Sequence, residues 1–124
     1  MKNMLCKRFG FVMILSLVSL SAWAANYKTI TVTELKTRLA NKNFFLLDVH
    51  IPEQAHIAGT DAFIDFRKIR QNERKLPSDK KTEIVVYCLG DQMSRVAAKD
   101  LLGMGYKNVY ILEGGVFAYN SLSK

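Results

Sequence analysis

The residue in this chain best placed to do chemistry is Cys88. Segment 84–88 is apolar, rich in β-branched residues and ends at the cysteine, and a short polar loop leads from there to a helix-forming pattern that begins at Ser94. That order predicts a thiol at the carboxyl end of a buried strand, facing the N-terminus of the next helix. A helix N-terminus offers unpaired N–H groups and a partial positive charge, which stabilise the nucleophilic thiolate form of a cysteine. The segment therefore predicts a reactive cysteine.

Cysteine usage along the chain favours the same interpretation. The chain has two cysteines, Cys6 and Cys88, and Cys6 lies in a segment that we expect to be removed on export. A single remaining thiol in an exported protein cannot form an internal disulfide, which favours a reactive role for it. The alternative is a buried, inert cysteine that acts as a small hydrophobic side chain.

Residues 1–24 have the three-part layout of a secretory signal peptide. Basic residues within 1–8 precede an apolar run over 9–20, and Ala22 and Ala24 provide the small residues of a cleavage site. We therefore expect a signal peptide over 1–24 and one domain over 25–124, in the periplasm or outside the cell. The apolar run is shorter than the roughly 20 residues that span a bilayer, so an uncleaved N-terminal membrane anchor is the less favoured alternative and no stable membrane insertion is expected after processing.

The charge of the predicted domain narrows the range of partners. Of the 18 basic residues, three lie in segment 1–24, which leaves 15 against 11 acidic residues. Basic residues gather over 67–81 without interleaved aromatic side chains, a pattern typical of a solvated helix face. A field that steers anionic substrates towards the protein is the alternative. Nucleic acid is not expected as a partner.

Strand and helix patterns alternate along 25–124. Thr31 and Glu34 have the spacing of a capping box, which predicts a helix start. Strands are predicted over 44–49, 61–64, 84–88 and 109–112, and helices over 67–76, from Ser94 as its cap, and over 116–122. The apolar face of the helix after Cys88 is expected to comprise Val96, Ala97, Leu101 and Leu102. This alternation predicts an α/β fold with a mainly parallel sheet that helices cover on both faces.

Asp48 ends one predicted strand and Cys88 ends another, so both are expected on the same rim of the sheet. A charged residue at the end of an apolar strand is costly unless it is paired. We therefore expect Asp48 to accept hydrogen bonds from backbone or histidine groups, with a catalytic role as the second interpretation.

Five separated motifs together resemble a single-domain rhodanese. They lie at 46–49 followed by Pro52 and Glu53, and at 56–60, 85–88, 105–109 and 112–115. The resemblance covers about 28–119 and implies a rhodanese-like α/β domain with a five-stranded sheet. It also implies a sulfurtransferase in which Cys88 takes up sulfane sulfur as a persulfide and passes it to a thiophilic acceptor, with no metal or organic cofactor. The implied partners are a small sulfur donor and a thiol or cyanide-like acceptor, and a protein partner is also compatible.

Segment 89–95 is the expected substrate-binding loop. Successive N–H groups curled around Cys88 would form an anion-binding nest, and Ser94 would donate to the thiolate or the persulfide. The predicted site residues are Cys88 as nucleophile, then Leu89, Gly90, Asp91, Gln92, Met93, Ser94 and Arg95 in the loop, with Asp48 and His50 in support.

This loop departs from the rhodanese pattern in its charges. Met93 stands where these loops usually place an arginine that binds the anionic group of the donor, and Asp91 adds a negative charge. His50 stands where an arginine commonly follows the aspartate-valine pair. The departures disfavour thiosulfate as the donor. They also leave open a second hypothesis, a non-catalytic rhodanese-like module that binds a protein partner or a sulfur oxyanion.

Other cysteine and metal chemistries fit the sequence poorly. Phosphatases of the Cys-x5-Arg type need an arginine six residues after the cysteine and normally a histidine before it, and those positions here are Ser94 and Tyr87. No Cys-x-x-Cys pair exists for dithiol chemistry. His50 and His56 have no convincing third ligand nearby, so a metal site is not expected.

Overall fold

A computed structural model describes residues 26–122, which form a five-stranded sheet. The strands are β1 (Lys28–Ile30), β2 (Phe45–Asp48), β3 (Ala62–Phe63), β4 (Glu83–Tyr87) and β5 (Asn108–Leu112). Their order is β1-β5-β4-β2-β3, and every neighbouring pair is parallel. The predicted α/β fold with its five-stranded parallel sheet is confirmed, whereas the predicted signal peptide lies outside the described residues.

Helices cover both faces of the sheet. They are α1 (Val32–Leu39), α2 (Gln92–Gly103) and α3 (Gly115–Ser121). Since successive strand residues point to opposite faces, alternate residues of β4 enter two separate cores. Val86 packs with the buried residues of α2, and Val85 packs with those of α1 and α3. We call these two sides of the sheet the α2 face and the α1–α3 face.

The central strand β4 is buried on both sides because it lies between β2 and β5. Its residues Ile84 to Tyr87 have no exposed surface, which explains the continuous apolar run in the sequence. The predicted start of α1 is also confirmed, since Thr31 Oγ1 accepts a hydrogen bond from the Glu34 N–H at 3.2 Å. None of the helices within 26–122 combines the length and the hydropathy needed to cross a membrane.

The predicted helix over 67–76 is wrong in type and extent. A 3₁₀ segment, Arg70–Lys75, replaces it, and Asn72 inside that segment has non-helical dihedral angles. No residue within the segment is buried; only Ile69 and Leu76, which flank it, enter the core of the α2 face. Without an apolar stripe to bury, these residues lack the tertiary contacts that usually stabilise an α-helix.

The predicted start and buried face of α2 also need correction. Asp91 occupies the N-cap position, and Ser94 lies inside the first turn with its side chain fully buried, so Ser94 does not cap the helix. Val96 is 46% exposed, whereas the buried residues of α2 are Ser94, Ala97, Ala98 and Leu101. Their spacing of three, four and seven residues defines one helical face, which includes a serine because its hydroxyl finds a hydrogen-bond partner in the loop.

Candidate functional site

Cys88 lies directly after β4, at the carboxyl end of the central strand, on the α2 face. The described residues around it line a pocket of about 250 Å³. Its lining comprises His50, Cys88, Leu89, Gly90, Asp91, Gln92 and Met93. The structure therefore brings together the predicted nucleophile, most of the predicted loop and one of the two predicted supporting residues, at the edge where open α/β sheets bind their ligands.

Free backbone N–H groups distinguish the loop that follows Cys88. The N–H groups of residues 89 to 94 donate no hydrogen bond to any other group in the described part of the chain. Two carbonyl groups at the start of the loop are held by α3: Val116 N–H donates to Cys88 O at 2.9 Å, and Phe117 N–H donates to Leu89 O at 3.1 Å. With carbonyls tied to α3 and N–H groups available, the loop can stabilise a thiolate or a persulfide anion.

Gly115 keeps this loop in place, a role that the sequence interpretation missed. Its φ is +56°, and a β-carbon there would contact Cys88 O and would lie 2.6 Å from Gly90 O and 2.7 Å from Leu89 C. These are backbone atoms, so no side-chain movement could make room. The pair Gly114-Gly115 was the available signal, but only the packing of α3 against the loop shows why a glycine is required there.

Asp91 binds the same glycine turn. Its Oδ1 accepts a hydrogen bond from Gly114 N–H at 2.9 Å, although the two residues are 23 positions apart. The carboxylate of Asp91 therefore joins the loop to the residue that precedes α3. Asp91 also lines the pocket, so its carboxylate contributes to the electrostatics of the site.

Ser94 is fully buried and does not line the pocket. Its hydroxyl donates to Asp91 O at 2.9 Å, and Cys88 Sγ lies 3.7 Å from Ser94 Oγ. Because a hydroxyl has a single hydrogen, this arrangement makes Ser94 the acceptor of a hydrogen bond from the thiol. Donation to a thiolate would require the hydroxyl to turn away from Asp91.

Arg95 lies outside the pocket. It is exposed, and its guanidinium forms no hydrogen bond or ion pair with the rest of 26–122. The side chain that lines the pocket nearest to Arg95 in the sequence is Met93, and none of the lining residues is an arginine or a lysine. The described site therefore binds anions with backbone N–H groups and without a fixed side-chain cation.

Asp48 lies on the same rim as Cys88 but faces the opposite side of the sheet. It pairs in register with Tyr87, one residue before the cysteine, and therefore points to the α1–α3 face. The fully buried carboxylate accepts hydrogen bonds from His50 N–H at 3.0 Å and from His56 Nδ1 at 2.8 Å. The expectation that Asp48 accepts backbone and histidine hydrogen bonds is confirmed. Its link to the pocket is indirect, through the backbone of His50.

His56 is held by two carboxylates. Its Nε2 lies 2.9 Å from Glu53 Oε1, while its Nδ1 binds Asp48. These hydrogen bonds, that with Asp48 first, raise the pKa of His56 above its usual value. Within residues 26–122 no three His, Cys, Asp or Glu side chains lie close enough to hold a metal ion together.

Tyr87 completes this polar cluster from the central strand. Its hydroxyl accepts from Ile57 N–H at 3.0 Å and lies 2.7 Å from Thr60 Oγ1, which itself donates to Ile57 O. Burial raises the pKa of Tyr87 to about 12, so the phenol stays protonated. The sequence interpretation missed that the Tyr87 hydroxyl ties β4 to the loop before β3.

Comparison with known proteins identifies a family that this chain matches. Residues 31–122 match the family described as Rhodanese-like domain. The chain is 40% identical over 83 residues to the adenylyltransferase and sulfurtransferase UBA4 of Candida albicans, covering 60% of this chain and 19% of that protein. It is 30% identical over 115 residues to the chloroplastic rhodanese-like domain-containing protein 8 of Arabidopsis thaliana, covering 80% of this chain and 26% of that protein.

Solved structures agree with that match. The rhodanese-like domain of the Alr3790 protein from Anabaena sp. superimposes with a TM-score of 0.68 at 25% identity, covering 76% of this chain and 74% of that chain. The chain spans only about a fifth to a quarter of the length of these two curated relatives.

Proposed function

The chain belongs to the rhodanese-like family, and we propose that it is a sulfurtransferase that carries sulfane sulfur as a persulfide on Cys88. One observation carries the proposal: the thiol shares a pocket with residues 89 to 93, whose successive backbone N–H groups bind no other described group. A sulfurtransferase needs an anion site at this place, because both the attacking thiolate and the persulfide that it forms are negatively charged. The name of the Candida albicans relative, a sulfurtransferase, supports the same activity.

The first half-reaction follows from this geometry. The Cys88 thiolate attacks the outer sulfur of a donor X–S⁻, the Cys88 Sγ–S bond forms, and the X–S bond breaks with its electron pair leaving on X. The products are Cys88–S–S⁻ and X⁻, so atoms and charge balance. The loop N–H groups have no other partner among the described residues, so they are available to stabilise the charge on the inner sulfur before the reaction and on the outer sulfur after it. A covalent intermediate of this kind divides one displacement into two.

The lining of the pocket bears on the donor. Met93 occupies the pocket wall where an arginine would bind a sulfonate group, and Arg95 lies outside. We therefore propose that the preferred donor is not thiosulfate but a sulfane compound without a sulfonate group, such as a small persulfide or polysulfide. The acceptor is a thiol or another nucleophile that attacks sulfur.

Intact-mass analysis of the full-length protein tests this proposal. We expect incubation with cysteine persulfide or inorganic polysulfide to add the mass of one sulfur atom at Cys88, and a thiol acceptor to remove it. Cys88→Ser should lose sulfur transfer completely, because a serine hydroxyl without a base is a poor nucleophile. Cys6→Ser is the matched control, since it removes the other thiol of the chain and should leave transfer unchanged.

A failure of the experiment would favour the second hypothesis. If no donor adds sulfur and iodoacetamide alkylates Cys88 no faster than a buried thiol, the chain is a non-catalytic rhodanese-like module that binds a partner or a sulfur oxyanion. Transfer by Cys88→Ser at the wild-type rate would contradict the assignment of the nucleophile.

A further inference from the structure

His50 is the imidazole that lines the Cys88 pocket. It follows β2, and Cys88 follows β4, and these two strands are neighbours in the sheet. Val49 N–H donates to Tyr87 O at 3.0 Å, so the hydrogen bonding between β2 and β4 continues to the residues just before His50 and Cys88. The carboxylate of Asp48 holds the backbone N–H of His50 at 3.0 Å. The imidazole therefore extends from a fixed backbone into the same pocket as the thiol.

The hydrogen bonds of His50 determine which nitrogen carries the proton. Its Nδ1 lies 2.8 Å from Pro52 O, and a carbonyl oxygen only accepts, so Nδ1 is the protonated nitrogen. In the neutral ring this leaves a lone pair on Nε2. Nε2 binds no other group among the described residues, and none of their buried side-chain nitrogen or oxygen atoms lacks a partner. Nε2 is therefore accessible to a molecule from outside.

The second histidine of the chain is in the opposite situation. Both nitrogens of His56 are engaged, one with Asp48 and one with Glu53. His56 lies outside the Cys88 pocket and has no free lone pair for a substrate. Of the two imidazoles, only that of His50 combines a fixed tautomer, a free acceptor nitrogen and a position beside the thiol.

We propose that Nε2 of His50 takes the proton from the acceptor thiol in the second half-reaction. The assignment rests on the proposed sulfurtransferase function and specifies its acceptor as a thiol. A neutral thiol is a poor nucleophile, and only its thiolate attacks sulfur efficiently. The other titratable groups that line the pocket are Cys88 and Asp91, of which Asp91 is bound to Gly114. His50 contributes the one imidazole to the lining of the pocket, and its Nε2 has no partner among the described residues.

The step balances without any further reactant. The proton of the acceptor R–SH moves to Nε2, the thiolate R–S⁻ attacks the outer sulfur of Cys88–S–S⁻, and a new S–S bond forms. The bond between the outer sulfur and Cys88 Sγ breaks, and its electron pair leaves on Cys88 as the thiolate. His50 then returns the proton to the released persulfide, so that R–SH and Cys88–S–S⁻ give R–S–SH and Cys88–S⁻.

Single-turnover transfer from the preloaded full-length protein tests the role of His50. The Cys88 persulfide is formed with polysulfide, verified by mass, and mixed with 2-mercaptoethanol, with the more acidic trifluoroethanethiol, or with sulfite at a pH where it carries no proton. His50→Gln should slow transfer to 2-mercaptoethanol about a hundredfold, in the range of general-base contributions. It should slow transfer to trifluoroethanethiol much less, and leave transfer to sulfite within about twofold, because sulfite has no proton to lose.

His56→Gln is the matched control and should leave all three rates unchanged, since it replaces the other histidine outside the pocket. Equal loss with thiols and sulfite in His50→Gln would assign His50 a structural role and overturn the proposal, as would unchanged transfer to 2-mercaptoethanol. If His50→Gln does not fold, the same three rates are measured in His50→Asn. In the wild type, a steep rise of the transfer rate with the acidity of the acceptor thiol would mean that no base assists, and it would also overturn the proposal. A wild-type protein that takes up no sulfur would instead overturn the sulfurtransferase function itself.

Discussion

Two polar regions share one rim of the sheet and differ in how far their hydrogen-bonding groups are satisfied. On the α1–α3 face, the carboxylate of Asp48 and both nitrogens of His56 are bound to neighbouring groups. On the α2 face, the N–H groups after Cys88 and the Nε2 of His50 have no partner in the described part of the chain. The first region joins loops to the sheet, and the second has binding capacity left for a substrate.

This contrast follows from the physical cost of polar groups. A buried polar group without a partner is destabilising, so a region that only holds the fold together has its hydrogen bonds complete. Groups left open beside a pocket are stabilised by a ligand or by water. Substitutions in the region of Asp48 and His56 should therefore lower the free energy of unfolding, and substitutions in the region of Cys88 should lower sulfur transfer.

After removal of the nucleophile, Gly115→Ala is expected to have the largest effect on the region around Cys88. The added β-carbon would collide with the backbone of the Cys88 loop, and the residue would be strained at its φ of +56°. We expect a loss of about a hundredfold in sulfur transfer, because the open N–H groups would move relative to the thiol, and about 1–3 kcal/mol of stability. Sulfur loading by mass and urea denaturation measure the two effects.

Gly105→Ala is a control that separates the effect of backbone strain from the effect of a steric clash with the loop. Gly105 also has a positive φ, +97°, but a β-carbon there would meet no atom within 4 Å. It should lose a similar amount of stability and keep its activity. Equal loss of activity in both variants would mean that the contact of Gly115 with the loop is unimportant.

Met93→Arg should add a cation to the Cys88 pocket and so strengthen its binding of anionic donors. An arginine in the pocket wall provides a charge-assisted hydrogen bond to a sulfonate group, worth about 1.5–3 kcal/mol. We expect kcat/KM for thiosulfate to rise roughly ten- to a hundredfold if that energy is expressed in the transition state. A thiosulfate-to-cyanide transfer assay measures it.

Val96→Arg is the control for the charge itself. Val96 is exposed on α2, three residues beyond Met93 and outside the pocket. A general attraction of thiosulfate to a more basic protein would raise the rates of both variants alike, and it would diminish with salt. A gain confined to Met93→Arg would place the new cation at the donor site.

His56→Gln should produce the smallest effect, and only in stability. Since hydrogen bonds with Asp48 and then Glu53 raise the pKa of His56 above its ordinary 6.5, protonated His56 stabilises the fold. That contribution is fully present below about pH 6.5 and is lost as the pH rises through the pKa in the folded protein. The difference between the unfolding free energies of wild type and variant should therefore shrink as the pH rises, by at most about 1 kcal/mol because the imidazole is partly exposed.

Urea denaturation at a series of pH values, with NMR titration of the His56 ring, measures this difference. A constant difference between the two proteins from acid to alkaline pH would contradict the ion pair. Sulfur transfer should be the same in both, which the paired activity assay checks.

Several features of the site were predictable because their signals are local. The β-branched run of 84–87, the cysteine after it and the helix pattern beyond it are contiguous, and a strand, a loop and a helix form there. The N-cap hydrogen bond at Thr31 is also local, since it forms within one turn of helix. Local propensities and periodicity therefore sufficed to place the thiol at the end of the central strand, before the start of α2.

Contacts between distant segments decided the rest. A register in which Asp48 pairs with Tyr87 sends Asp48 and Cys88 to opposite faces, and a shift of one residue would have put them on the same face. The register depends on how neighbouring strands pack, so no single strand encodes it. For the same reason the buried face of α2 includes Ser94 and excludes Val96.

The sequence by itself determined the fold class, four of the five strands and the place of Cys88, because each depends on residues close together in the chain. Only the tertiary structure decided that Gly115 packs on the Cys88 loop, that Asp91 binds Gly114, and that His50 is open while His56 is not. These are contacts between segments that folding brings together, and most of them depend on atoms of the backbone. Side-chain types in a sequence do not record where backbone N–H and carbonyl groups will point, and in this protein those groups form the candidate site.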